Sequence, residues 1–130
     1  MIVDTDVLID ILQDREDARV KVAELESNAV PLRISSISLF ELYHSLERVA
    51  DPASKRQAID AVLDTKDVYP ADSAVMKKAG RIDGRLTEDG EAIGIGDTII
   101  GATGLVHEEP ILTRNTDHFK RIDGLDLATY

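Results

Sequence analysis

The feature that most constrains this chain is an alternation of short apolar runs with longer stretches of helical periodicity. Met1–Val3 is an apolar run that stops at Asp4, and Asp6–Gln13 then carries its apolar residues at helical spacing. Asp17–Ser27 is a second amphipathic helix, and Leu32–Ser35 reads as a strand after Pro31. Ser38 is expected to open a helix through Val49, with Leu39, Leu42, Tyr43, Leu46 and Val49 on one face. Asp51-Pro52 caps a further helix to Leu63, because proline suits the first helical position.

The second half repeats the pattern. Asp67–Tyr69 is a weak strand, Asp72 starts a helix to Leu86, and a Gly-rich stretch leads to Asp97 and the helix Thr98–His107. Pro110–Thr113 and Leu125–Ala128 complete a set of five strands. Strands separated by helices imply an α/β domain with a mostly parallel sheet covered on both faces. At 130 residues without repeat or linker, the whole chain is expected to be one domain.

Parallel topology places the acids. Ligands of such sheets gather beyond the carboxyl ends of the strands. Asp4 follows the first strand, Glu41 lies in the first turns after the second, and Asn115 and Asp117 follow the fourth. Asp97 joins them by connectivity. The helix from Asp72 descends roughly 22 Å, the segment Glu88–Asp97 can climb back up to about 33 Å, and the next helix must descend again to feed strand four. Taken singly, each acid has a structural role open to it. Asp4 and Asp97 could be helix N-caps, Ser38-Leu39-Phe40-Glu41 matches a capping box, and Asp117 sits in a polar loop. Taken together, they raise each other's pKa unless a cation intervenes. An oxygen-only set suits Mg²⁺ or Mn²⁺, which implies phosphoester hydrolysis.

Bulk composition narrows the partners. A net charge of −10 argues against a module that only grips nucleic acid, since such affinity comes largely from phosphate neutralisation. Cysteine is absent, which excludes disulfides and thiolate metal sites. No apolar run approaches the roughly 20 residues of a membrane span, and no secretory leader is evident, so a cytoplasmic location is expected. His44, His107 and His118 share no metal-ligand spacing and are expected to be structural or surface residues.

Four blocks, in order, resemble those of PIN domains: MIVDTDVLID, ISSISLFELYHSL, IGIGDTIIGATGL and PILTRNTDHFKRIDGL. The resemblance implies a three-layer α/β/α fold with a mostly parallel central sheet of four to five strands. In a chain of this length it is similar to the VapC toxins of type II toxin–antitoxin pairs. It implies a Mg²⁺- or Mn²⁺-dependent endoribonuclease acting on tRNA, rRNA or mRNA, a homodimer, and restraint by a VapB-like antitoxin. By motif position, Asp4 and Asp97 are the principal metal ligands, and Glu41 completes the site or orients water. Many PIN domains have an aspartate where this chain has Asn115, so Asp117 becomes a candidate stand-in. Thr113 is expected to bond within the acidic cluster, and Arg114, Lys120 and Arg121 are candidate phosphate contacts. Two other readings stay open. One is a PIN-like domain that binds RNA or a partner without cutting. The other is an aspartyl-phosphate phosphatase, suggested by Asp4-Thr5-Asp6 but opposed by the order of the later motifs.

Overall fold

The computed structural model describes residues 1–130. Five parallel strands form one sheet in the order β3-β2-β1-β4-β5: β1 is Ile2–Val3, β2 Arg33–Ser35, β3 Asp67–Tyr69, β4 Ile111–Leu112 and β5 Leu127–Ala128. Every pairing is parallel, so each strand returns through helices. The helices are α1 (Thr5–Leu12), α2 (Glu16–Ser27), α3 (Ser36–His44), α4 (Pro52–Leu63), α5 (Ser73–Glu88), α6 (Ile95–His107) and the short α7 (Thr116–Phe119).

The pleat divides the core in two. Val3, Ile34 and Leu112 face one side, where they pack with Val7 and Leu8 of α1, Leu25 of α2, Leu42 of α3 and Ile59 and Leu63 of α4. Ile2 and Ile111 face the other, against Leu86 of α5, Ile100 of α6 and Phe119 of α7. Two-residue strands buried on both faces explain why β1 and β4 read as continuous apolar runs rather than alternating ones. The result is the expected α/β/α sandwich.

Several boundaries move for identifiable reasons. Helix α3 begins at Ser36, two residues before Ser38, because Ser35 caps it by accepting from the Ile37 N–H at 3.3 Å. Ser38 is therefore inside the helix and fully buried, and the expected capping box with Glu41 does not form. The expected single helix to Val49 stops at His44, and a 3₁₀ turn continues over Ser45–Arg48. The N-cap of α6 is Gly94, not Asp97. Its φ of 98° suits glycine, and its carbonyl accepts from both the Thr98 N–H and the Thr98 hydroxyl. The end of α5 and the loop after it already lie beside the segment following β4, where Arg121 donates to the Glu91 carbonyl.

Chain order makes β1 and β4 the functional seam. From β1 the chain moves to β2 on one side, while β4 pairs on the other, so their carboxyl ends border the crevice of a topological switch. Helix α6 packs tightly beneath this seam. A Cβ on its Gly104 would meet the Glu109 carbonyl at 2.9 Å and Ile111 Cδ1 at 2.8 Å, whereas one on Gly80 of α5 would meet nothing within 4 Å. Gly104→Ala is expected to destabilise the protein in thermal melts, because overpacking against backbone of roughly 1–3 kcal/mol exceeds the helix-propensity gain. Gly80→Ala is expected to stabilise it by up to about 1 kcal/mol.

Candidate active site

Asp4 is the first residue beyond β1 and is only 1% exposed. It occupies the N-cap position of α1, yet its side chain caps nothing. Its Oδ2 instead accepts from the Thr113 hydroxyl at 2.8 Å, across the β1–β4 seam. Burial pushes its pKa from 3.8 up to about 7; the Thr113 bond opposes that shift, and the nearby Asp97 and Asp6 carboxylates add to it.

Glu41 is set by α1 and α3 together. The buried Thr5 hydroxyl donates to Glu41 Oε1 at 2.7 Å and lies 2.8 Å from the Ser38 hydroxyl. The other oxygen faces α6, where a Cβ on Gly96 would come within 2.7 Å of Glu41 Oε2. Gly96 therefore admits the carboxylate to the first turn of α6. Burial raises the Glu41 pKa, the Thr5 bond lowers it, and Asp97 and Asp6 raise it again.

Asp97 is the third residue of α6. Its Oδ2 lies 2.8 Å from His118 Nδ1, which in turn lies 2.9 Å from Asn115 Nδ2. When Nδ1 is protonated it donates to Asp97, and the Asn115 amide then fits with its oxygen toward the ring. Asn115 also donates its backbone N–H to Thr113 Oγ1 at 2.8 Å, so it joins the same network.

Asp4, Glu41, Asp97 and Asn115 are thus brought to one edge, and Asp117 is not bonded to any of them. Its side chain is 78% exposed and pairs with Lys120 at 2.9 Å, because the turn of α7 directs it away from the partners of its neighbour His118. Arg114, a candidate phosphate contact, is instead held by the 2% exposed Asp10, to which both its Nε and Nη2 bond. Two residues went unrecognised in the sequence. His118 contacts Asp97, and Asp6, in the first turn of α1, adds its charge to Asp4, Glu41 and itself feels Asp97. Aspartate two positions after Asp4 was a visible signal for the second; nothing in the spacing of His118 marked the first.

The donor set fits a hard cation. Asp4 is buried with one hydroxyl donor for a counterpart, and its neighbours are carboxylates. No three acids or histidines stand close enough to form an all-protein cage. Mg²⁺ commonly takes one or two carboxylates and keeps several waters, so Asp4 and a neighbouring carboxylate would be enough to hold it.

A family model for the PIN domain matches residues 1–125. The chain belongs to the PIN-domain family. It is 29% identical to the Ribonuclease VapC of Rickettsia bellii over 99% of this chain and 95% of that protein. It is 30% identical to the tRNA(fMet)-specific endonuclease VapC of Shigella flexneri, over 71% of this chain and 70% of that one. These matches place it among the VapC proteins. The crystal structure of VapBC2 from Rickettsia felis bound to a promoter DNA fragment contains a chain with the same fold. Its TM-score is 0.89 at 21% identity, covering 99% of this chain and 97% of that one. The expected α/β/α architecture is therefore that of the family.

The Asp4 shift makes a signed prediction for this PIN domain. A carboxyl whose pKa rises from 3.8 unfolded to about 7 folded favours the folded state fully below pH 3.8, and that contribution is lost as pH rises through 7. Metal-free protein is expected to lose roughly 4 kcal/mol across that window from this group. Asp4→Asn should flatten the slope in denaturant titrations between about pH 5 and 8, and added Mg²⁺ should stabilise the wild type most at the alkaline end.

Proposed function

We propose that this VapC-family chain is a metal-dependent endoribonuclease that hydrolyses RNA phosphodiester bonds as the toxin of a toxin–antitoxin pair. The observation that carries the reading is the buried Asp4 carboxylate, held by the Thr113 hydroxyl across the seam and within the field of the Asp97 carboxylate. Asp4 and Asp97 would hold Mg²⁺ or Mn²⁺, with Glu41 as third ligand or as the group that orients water. Bound there, such an ion polarises a phosphoryl oxygen, lowers the pKa of a water and steadies the leaving oxygen.

The chain's own groups supply the rest. Thr113 holds one Asp4 oxygen, which leaves the other for the ion. Thr5 fixes Oε1 of Glu41, so Oε2 is the oxygen turned toward α6 and the reacting phosphate. A carboxylate with a raised pKa is a better proton acceptor, which suits Glu41 to receive the proton of the attacking water. His118 orients Asp97, and Asn115 contributes a neutral amide where many PIN domains have an acid. With that position uncharged, one tightly held ion is favoured over two. Asp117 stands off at the surface beside Lys120, where it would reach the site only through water.

The substrate is a structured RNA, either tRNA, rRNA or mRNA; a relative named as tRNA(fMet)-specific supports the first. A VapB-like antitoxin is the expected partner, supported by the fold shared with the Rickettsia VapBC2 complex. Homodimerisation belongs to the same reading and is supported by exposed apolar side chains at Phe40, Met76 and Ile95. No helix is long and apolar enough to cross a membrane, and an RNA substrate supports action in the cytoplasm.

Incubating purified protein with tRNA and rRNA tests the reading directly. Cleavage is expected with Mg²⁺ or Mn²⁺, none with EDTA, and a drop of at least about 100-fold for Asp97→Asn, comparable to losing one charge-stabilising group. Cleavage that persists in EDTA and in Asp4→Ala would overturn it.

A further inference from the structure

An RNA-cutting protein of net charge −10 has an electrostatic problem at long range, since its overall field repels the substrate. Screening confines that repulsion to about 8–10 Å at ordinary salt, so attraction has to come from cations gathered locally. Six of the fifteen lysine and arginine side chains are already engaged. Arg15, Arg19, Lys21, Arg33, Arg114 and Lys120 all pair with carboxylates.

Four of the others gather along a single groove of about 310 Å³ between α5, the end of α6 and the segment after α7. Lys78, Arg81 and Arg85 line it from one face of α5, at spacings of three and four residues, and Arg121 lines the opposite wall. All four are exposed, and none forms an ion pair. Asp123 is the one carboxylate in the lining, and it is not paired with any of them. The floor is apolar, with Ile82, Leu86 and Ile122.

A short stretch of chain joins the groove wall to the acidic site, because Arg121 follows His118 by three residues. The Arg121 N–H donates to the His118 carbonyl at 3.2 Å, and His118 contacts Asp97. Arg121 spends one N–H on the Glu91 carbonyl, which holds the side chain against the wall and leaves its other donors free.

We propose that this groove binds the phosphodiester backbone of the RNA on the flank of the scissile bond that passes α7. The inference rests on the nuclease reading and adds where the substrate is gripped. Three arginines favour phosphate, because the guanidinium fork matches its oxygens. Contacts of this kind position a strand without reading its bases, so the groove contributes affinity and register rather than sequence choice.

The test is binding first, in EDTA, so that it is separate from cleavage. The probe is a labelled single-stranded RNA of about 20 nucleotides, titrated between roughly 50 and 200 mM salt. Lys78→Gln/Arg81→Gln/Arg85→Gln is expected to raise Kd at least about 10-fold and to make the log–log salt slope shallower by about 2, from three lost phosphate contacts. Arg121→Gln should give a smaller change of the same sign. Lys77→Gln, on the same helix but outside the groove, should change neither. With Mg²⁺ added, the triple variant should lose through KM on long RNA. Unchanged Kd and slope in a triple variant that melts like wild type would overturn the groove while leaving the nuclease reading intact. Groove-dependent binding without cleavage by wild type would sustain the groove and count against the nuclease. A triple variant that keeps its RNA affinity but loses binding to a poly-glutamate peptide would assign the groove to an acidic protein segment and overturn the proposal.

Discussion

The structure depends on a carboxylate that is taken out of water. Asp4 follows the central strand of a parallel sheet, in the seam where the strand order reverses, and there the Thr113 hydroxyl donates to its side chain. Burial alone disfavours its charge, and Asp97 and Asp6 make the disfavour larger. Water relieves such strain at a surface, but Asp4 is closed to it. A cation held at the same edge would relieve it, and other side chains of the site are drawn to that edge too. Thr5, Ser38 and Gly96 bring Glu41 up to α6, and His118, itself in contact with Asn115, meets Asp97.

The scaffold that holds these groups is secured by a second buried charge of a different kind. Asp10, on α1, accepts from the Arg114 guanidinium through two nitrogens and from the Tyr130 hydroxyl at 2.8 Å. Removing one partner of such a pair leaves a buried charge without compensation, which is strongly unfavourable. The pair therefore ties the segment after β4 and the end of the chain to the helix that follows Asp4. Arg114 stands between Thr113 and Asn115, both members of the site network, so its tether holds the loop from which they act. Asp4 is a buried acid without a protein cation and Asp10 is a buried acid with one. That difference separates a carboxylate left open to a cation from one already neutralised by the protein itself.

The elements were legible in the sequence where the signal was local. Proline at the first position of α4, the apolar runs of β1 and β4 and the periodicity of α5 each rest on a few neighbouring residues, and all appear in place. The parallel order followed from the alternation of those elements. Boundaries were lost where two local rules competed. Ser35, Ser36 and Ser38 are all acceptable caps, and the choice of Ser35 frees Ser38 to be buried against Thr5. The candidate acids were found because position after a parallel strand is itself a topological statement. His118 was missed because its role is a contact with Asp97, twenty-one positions away, with no repeat or spacing to announce it.

What the sequence determined by itself is therefore the α/β layering and the edge at which its acids gather, since both follow from periodicity and chain direction. Only the tertiary structure decided what each acid does there. Asp4 meets Thr113 across 109 positions, Glu41 meets Thr5 across 36, and Asp117 turns out to solvent beside Lys120. Those outcomes depend on which side chains are packed against one another at the seam. Burial and hydrogen-bond partners are properties of the assembled fold, and no stretch of the chain carries them alone.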